Sequence, residues 1–118
     1  MFEMTICNAD GEALRKFDLS RVVSVGKRVL IGRADDCDVR IKNNSVSRHH
    51  AEIEALDADE WIIRDLGSTL GVMVEGKKVR EAEIESGMIV TLGPAVLRFE
   101  SLSNKIAADL ASEIGEED

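Results

Sequence analysis

Residues 51–65 read AEIEALDADEWIIRD, and this stretch decides the fold class. In Ala51-Glu52-Ile53-Glu54-Ala55 small or apolar residues alternate strictly with acids, the period of a strand with one buried and one wet face. Asp57-Ala58-Asp59 signals a turn. Trp61-Ile62-Ile63-Arg64-Asp65 then resumes as a more continuously apolar run, as expected near a sheet interior. The same pattern recurs outward in both directions. Met1–Cys7 and Ala13–Leu19 flank Asn8-Ala9-Asp10-Gly11, whose Asp-Gly pair suits a tight hairpin. Further strands are predicted at Val29–Ile31, Val39–Ile41, Val72–Val74, Lys77–Val79, Ile89–Leu92 and Ala95–Glu100. Turns fall at Glu75-Gly76, Ser86-Gly87 and Gly93-Pro94. Some ten short strands at this spacing predict an all-β, antiparallel sandwich or barrel.

At 118 residues the chain is long enough for one domain. It is 44% apolar but has only four aromatic residues, Phe2, Phe17, Trp61 and Phe99, so aliphatic side chains must fill the interior. The pattern changes after residue 101. Leu102, Ile106, Leu110 and Ile114 recur every fourth residue with Ala107 and Ala111 beside them, the apolar stripe of an amphipathic helix. Gly115 is a plausible stop, and Glu116-Glu117-Asp118 follows it. The chain is therefore read as a β-sandwich domain over 1–101 and a C-terminal α-helix with an acidic tail over 102–118. Such a helix either covers an edge of the sandwich or mediates association, with a partner or with itself, through residues 102–114.

The net charge of −8 argues against a nucleic-acid or anionic-membrane binder, since both polyanions are held by basic surface. No apolar run reaches the ~20 residues of a membrane span, and the N-terminus lacks the basic-then-apolar order of a secretory signal. Cys7 and Cys37 have no metal-like spacing. A soluble, cytoplasmic protein is expected. Asn43-Asn44-Ser45 then matches a glycosylation acceptor only by chance.

Against the acidic average, residues 27–50 hold six bases (Lys27, Arg28, Arg33, Arg40, Lys42, Arg48) and three acids (Asp35, Asp36, Asp38), a local net of +3. A basic loop region on an acidic body suits a small, local anion. Arg grips phosphate bidentately, and Ser and Thr hydroxyls donate to the remaining oxygens. Other chemistries fit less well. A Ser47, His50, Asp65 hydrolase triad can be written on paper, but no strained nucleophile elbow surrounds Ser47. Gly32 is isolated, with no nucleotide-binding loop after it. His49 and His50 point to opposite faces if extended, so one metal would not take both. Asp35, Asp36 and Asp38 lack the closing Glu of a calcium loop and read as turn formers.

Gly32-Arg33, Ser47-Arg48-His49-His50 and Asp65-Leu66-Gly67-Ser68-Thr69-Leu70-Gly71, in this order and spacing, resemble the forkhead-associated (FHA) domain family across roughly residues 1–101. The resemblance implies a two-sheet sandwich of about eleven strands that binds phosphothreonine peptides through loops at one end, with no catalysis and no cofactor or metal. It implies that Arg33 and Ser47 hold the phosphate, that Arg48 adds a phosphate or peptide-backbone contact, and that Thr69 contributes nearby. His50 would brace the Ser47 loop, and Gly32 and Gly71 would free their backbones to turn. One position departs from the family. The Asn whose amide holds the peptide backbone is replaced here by Leu70, which offers no donor or acceptor. Two readings follow: an intracellular adaptor for a threonine-phosphorylated protein, or a degenerate scaffold that binds partners independently of phosphate through a sheet face or the C-terminal helix.

Overall fold

The computed structural model describes residues 2–19, 28–57 and 60–101, and the amphipathic stripe at 102–114 lies outside them. Eleven strands follow in chain order: β1 Phe2–Cys7, β2 Ala13–Asp18, β3 Arg28–Gly32, β4 Val39–Arg40, β5 Ala51–Ala55, β6 Trp61–Asp65, β7 Val72–Val74, β8 Lys77–Val79, β9 Glu81–Glu83, β10 Ile89–Leu92 and β11 Ala95–Ser101. They form two sheets, β2-β1-β11-β10-β7-β8 and β4-β3-β5-β6-β9. The predicted two-sheet sandwich is what is found.

The alternation read in the sequence places the core. Phe2, Met4 and Ile6 of β1 and Ala95, Leu97 and Phe99 of β11 face inward from the larger sheet. Val29 and Ile31 of β3, Ala51, Ile53 and Ala55 of β5, and Trp61 and Ile63 of β6 face them from the smaller. Phe2 meets Trp61 edge-on, with ring centroids 6.2 Å apart. Burying such a side chain contributes roughly 1.5–3 kcal/mol, so the aliphatic interior compensates for the scarcity of aromatics.

Two features differ from the sequence reading. First, β3 and β4 pair parallel, Ile31 with Val39 and Gly32 with Arg40, so the smaller sheet is mixed. The loop between them is folded back tightly enough to allow this: the Cys37 amide donates to the Ala34 carbonyl at 3.2 Å, and the Leu30 amide donates to Asp38 Oδ2 at 2.8 Å. Second, β9 has no counterpart in the sequence reading, because the acid–apolar alternation of Glu81-Ala82-Glu83 runs for only three residues. It is an edge strand on β6, held by main-chain pairing and by charge. Arg64 on the outer face donates to Glu81 at 3.1 Å and to Glu54 at 2.6 Å, tying β5, β6 and β9 together. The Glu54 hydrogen bond pushes the Arg64 guanidinium further up, and Arg64 in turn holds the Glu54 carboxyl below its ordinary range.

The connections that carry the sequence motifs gather at one end. The β3–β4 loop begins at Arg33, the β4–β5 loop runs through Ser47 and the β6–β7 loop through Thr69, with the β10–β11 turn at Gly93 beside them. No helix among the described residues is long and apolar enough to cross a membrane.

Candidate functional site

His50 joins these loops. Its ring is fully buried. The Ser47 amide donates to Nδ1 at 3.1 Å, so the ring proton lies on Nε2, which donates to the Gly71 carbonyl at 2.8 Å. Its own main chain adds two more links: the amide donates to Ile31 O at 2.9 Å, and the carbonyl accepts from the Leu66 amide at 3.0 Å. One residue therefore fixes β3, the β4–β5 loop and the β6–β7 loop to one another. The same bonds show that Ser47, His50 and Asp65 form no hydrolase triad. The imidazole meets a Ser47 amide and not its hydroxyl, and the Asp65 carboxylate accepts from Ser68 Oγ at 2.5 Å.

Asp65 and Ser68 belong to the third motif and shape its loop, roles that the sequence reading left unassigned. The Ser68 amide also donates to Asp65 Oδ1, at 3.1 Å, and Ser68 Oγ accepts from the Gly71 amide at 2.9 Å. Gly71 closes the loop with φ +83°, a left-handed conformation that favours glycine. Gly32 is required for a different reason: a Cβ there would come within 2.2 Å of the Arg48 carbonyl oxygen. That close approach lets the Arg33 and Ala34 amides donate to the Ser47 and Arg48 carbonyls at 3.1 and 3.0 Å.

On this frame a cavity of about 250 Å³ is lined by Arg33, Asn44, Ser45, Val46, Ser47, Thr69 and Leu70. Arg33 Nε donates to the Val46 carbonyl at 3.1 Å, which orients the guanidinium and leaves its terminal nitrogens unpaired among the described residues. Ser47 Oγ accepts from the Thr69 amide at 3.0 Å, so its hydroxyl proton is free to donate. Terminal guanidinium N–H groups and the three hydroxyl residues Ser45, Ser47 and Thr69 beside one small cavity suit a compact oxyanion. Of the predicted site residues, the structure brings Arg33, Ser47, Thr69 and Leu70 to this cavity, with His50, Gly32 and Gly71 behind it.

Arg48 lies apart. It lines a neighbouring depression with Arg33, Ala34, Asp35, Asp36, Arg40 and His49, and Arg33 is common to both. The acids there are more than turn formers. Asp35 pairs with Arg40 at 2.6 Å, and Asp36 accepts from His49 Nε2 at 2.8 Å, a hydrogen bond that holds the Asp36 carboxyl below its ordinary range. Arg28 likewise faces Glu52 and Glu54. Arg33 and Arg48 are thus the arginines of the basic segment that make no ion pair among the described residues. Asp36, Cys37 and His49 also bring three ligand-type atoms within 4.8 Å of one another. The Cys37 thiol, however, donates to the Arg48 carbonyl at 3.2 Å, and burial pushes its pKa up, so it keeps its proton.

Comparison with known proteins agrees with this architecture. The family profile described as FHA domain matches residues 29–93. The FHA domain-containing protein FhaB of Mycolicibacterium smegmatis is 34% identical over 81 residues, 68% of this chain and 52% of FhaB. The chain thus spans about half the length of that relative. The crystal structure of the FHA domain of the CT664 protein from Chlamydia trachomatis superposes with a TM-score of 0.73 at 26% identity, covering 85% of this chain and 96% of that one. An FHA domain solved in a study of phosphothreonine-dependent FHA domain interactions superposes with a TM-score of 0.70 at 26% identity, covering 85% and 95%.

Proposed function

We propose, from the premise that this chain belongs to the FHA domain family, that it is a non-catalytic adaptor that binds a threonine-phosphorylated protein in the cytoplasm. The observation that carries the reading is the free end of the Arg33 guanidinium, aimed by its Val46 bond beside the Ser47 and Thr69 hydroxyls. A phosphate entering there meets donors whose positions are already fixed by other bonds, so little ordering cost falls on binding. Arg48, in the adjoining depression, is suited to contact the peptide beside the phosphothreonine.

The binding unit in this reading is the sandwich of residues 1–101. The acidic body outside the loops disfavours nucleic acid and anionic membrane as partners. A second reading has one observation in its favour. Leu70, 45% exposed, lines the cavity where a polar side chain would serve a peptide better. That supports a degenerate scaffold, binding partners without phosphate through a sheet face or through the C-terminal helix expected from the sequence, with self-association through residues 102–114 as one form of it.

Titration with a phosphothreonine-peptide library beside unphosphorylated controls separates the two. Phosphate-dependent binding in at least one sequence context supports the adaptor. Absence of binding in every context overturns it in favour of the scaffold.

A further inference from the structure

A peptide held by its phosphate must still lay its main chain across the rim of the cavity, and each of its amide units presents both a donor and an acceptor. The cavity's charged group, Arg33, only donates, the Ser47 hydroxyl has accepted the Thr69 amide and keeps its proton for the phosphate, and Ser45 and Thr69 offer single hydroxyls rather than a paired donor and acceptor. Leu70 supplies neither function. It leans instead on the β10–β11 turn: a Cβ on Gly93 would come within 2.9 Å of Leu70 Cδ1 and 3.5 Å of the Ser45 carbonyl oxygen. Leu70 and the chain at Ser45 therefore meet over the same glycine, and the residue before Ser45 is Asn44.

Asn44 is well placed for the missing function. The Val46 amide donates to the Asn43 carbonyl at 3.0 Å, and the Ser45 amide donates to Asn43 Oδ1 at 2.8 Å. Asn43 is consumed in holding this turn, and Asn44 stands at its tip, exposed and lining the cavity. Its side-chain amide has no partner among the described residues, and it is the one carboxamide among the residues that line the cavity. We infer that Asn44 supplies the amide that grips the main chain of the bound phosphopeptide, a backbone subsite moved from the β6–β7 loop to the β4–β5 loop. Leu70 then forms the apolar wall beside it. The inference rests on the phosphopeptide reading above.

The test uses the full chain and two probes, a phosphothreonine peptide selected from the library and free O-phosphothreonine, which has no flanking amide units. Asn44→Ala should weaken the peptide about tenfold, equivalent to roughly 1.4 kcal/mol, and leave free phosphothreonine within about twofold by NMR titration. Leu70→Asn placed in the Asn44→Ala background should restore peptide affinity, yet add less than about twofold when Asn44 is present, a non-additivity that a merely structural role for Asn44 would not produce. Unchanged peptide affinity in Asn44→Ala, equal weakening of both probes, or failure of Leu70→Asn to rescue overturns the assignment. Arg33→Ala, measured in parallel, locates the fault. If it weakens both probes while Asn44→Ala weakens neither, only the Asn44 assignment has failed; if it weakens neither, the phosphate reading has failed and the inference with it.

Discussion

Replacing His50 with Ala should loosen the whole loop end, and the structure allows the size of the effect to be estimated. The ring is fully buried and satisfies two main-chain groups on different loops, the Ser47 amide and the Gly71 carbonyl. An unsatisfied buried polar group costs about 1–3 kcal/mol. The Gly71 carbonyl, on a buried residue, should incur that in full, whereas Ser47 is half-buried and its amide can partly rehydrate. The void left by the imidazole adds to this. A loss of about 2–5 kcal/mol follows, read by urea denaturation. The same variant should bind phosphopeptide more weakly at temperatures where it remains folded, although His50 touches no ligand, because the Ser47 and Thr69 loops are no longer fixed to each other. Met4→Ala, in β1 and fully buried, gives the control: it should cost a similar ~2–5 kcal/mol by cavity formation while leaving phosphopeptide affinity in place. A destabilisation below about 1 kcal/mol for His50→Ala, less than a single orphaned group should cost, would refute the bracing argument, as would equal affinity losses in the two variants.

Arg33→Ala should lower phosphopeptide affinity at least about tenfold by isothermal titration, since a charge-assisted contact contributes about 1.5–3 kcal/mol, and should cost no more than about 1–3 kcal/mol in urea, because the carbonyl of buried Val46 loses its Nε donor. Gly32→Ala should act on the fold itself: its Cβ meets a main-chain oxygen that cannot move aside cheaply, so stability should fall by about 1–3 kcal/mol in a thermal melt. The Asp36 carboxyl, held low by His49, should keep its pairing above the ordinary carboxylate range and lose it only as pH falls through its depressed midpoint; His49→Ala should move that midpoint up in a carboxyl-carbon NMR titration. Deleting residues 102–118 should lower the melting temperature without changing the association state if the segment docks on its own sandwich, whereas a dimer that becomes monomeric on deletion would establish self-association.

The parts of this fold that could be read in advance are those whose sequence signal is the burial itself. Ile53 and Ile63 alternate with charged or half-buried neighbours because one face of β5 and β6 packs into the core. Glu81-Ala82-Glu83 carries that signal too briefly to be read: Ala82 alone turns to the core, and the strand's other ties are main-chain bonds to β6 and the reach of Arg64. The parallel β3–β4 pair was hidden for a related reason, since a two-residue strand carries no period. In the site, the spacing of the three motifs located Arg33, Ser47 and Thr69, but not which of their hydrogen-bonding groups are already used. Arg33 Nε is taken by a carbonyl, and Ser47 Oγ has accepted an amide. Asn44 lay in view as part of a chance glycosylation match. Its free amide becomes visible only when Asn43 is seen to be locked in the turn.

The departure at position 70 is tolerable because the frame of the site does not use that side chain. The β6–β7 loop is held by Asp65 to Ser68, by Ser68 to the Gly71 amide, by His50 to the Gly71 carbonyl and by Ser47 to the Thr69 amide. Every one of these bonds ends on main chain or on a residue other than Leu70. None of the hydrogen bonds around the proposed phosphate anchor therefore depends on the side chain at position 70, and in that reading the residue there sets how the rest of the peptide is received. An apolar wall there raises the cost of leaving a passing peptide amide unpaired, which makes an amide elsewhere on the rim worth more. It also favours an aliphatic peptide side chain over a polar one at the same point. On the proposed reading, the substitution changes what accompanies the phosphate and leaves intact the hydrogen bonds that set its anchor.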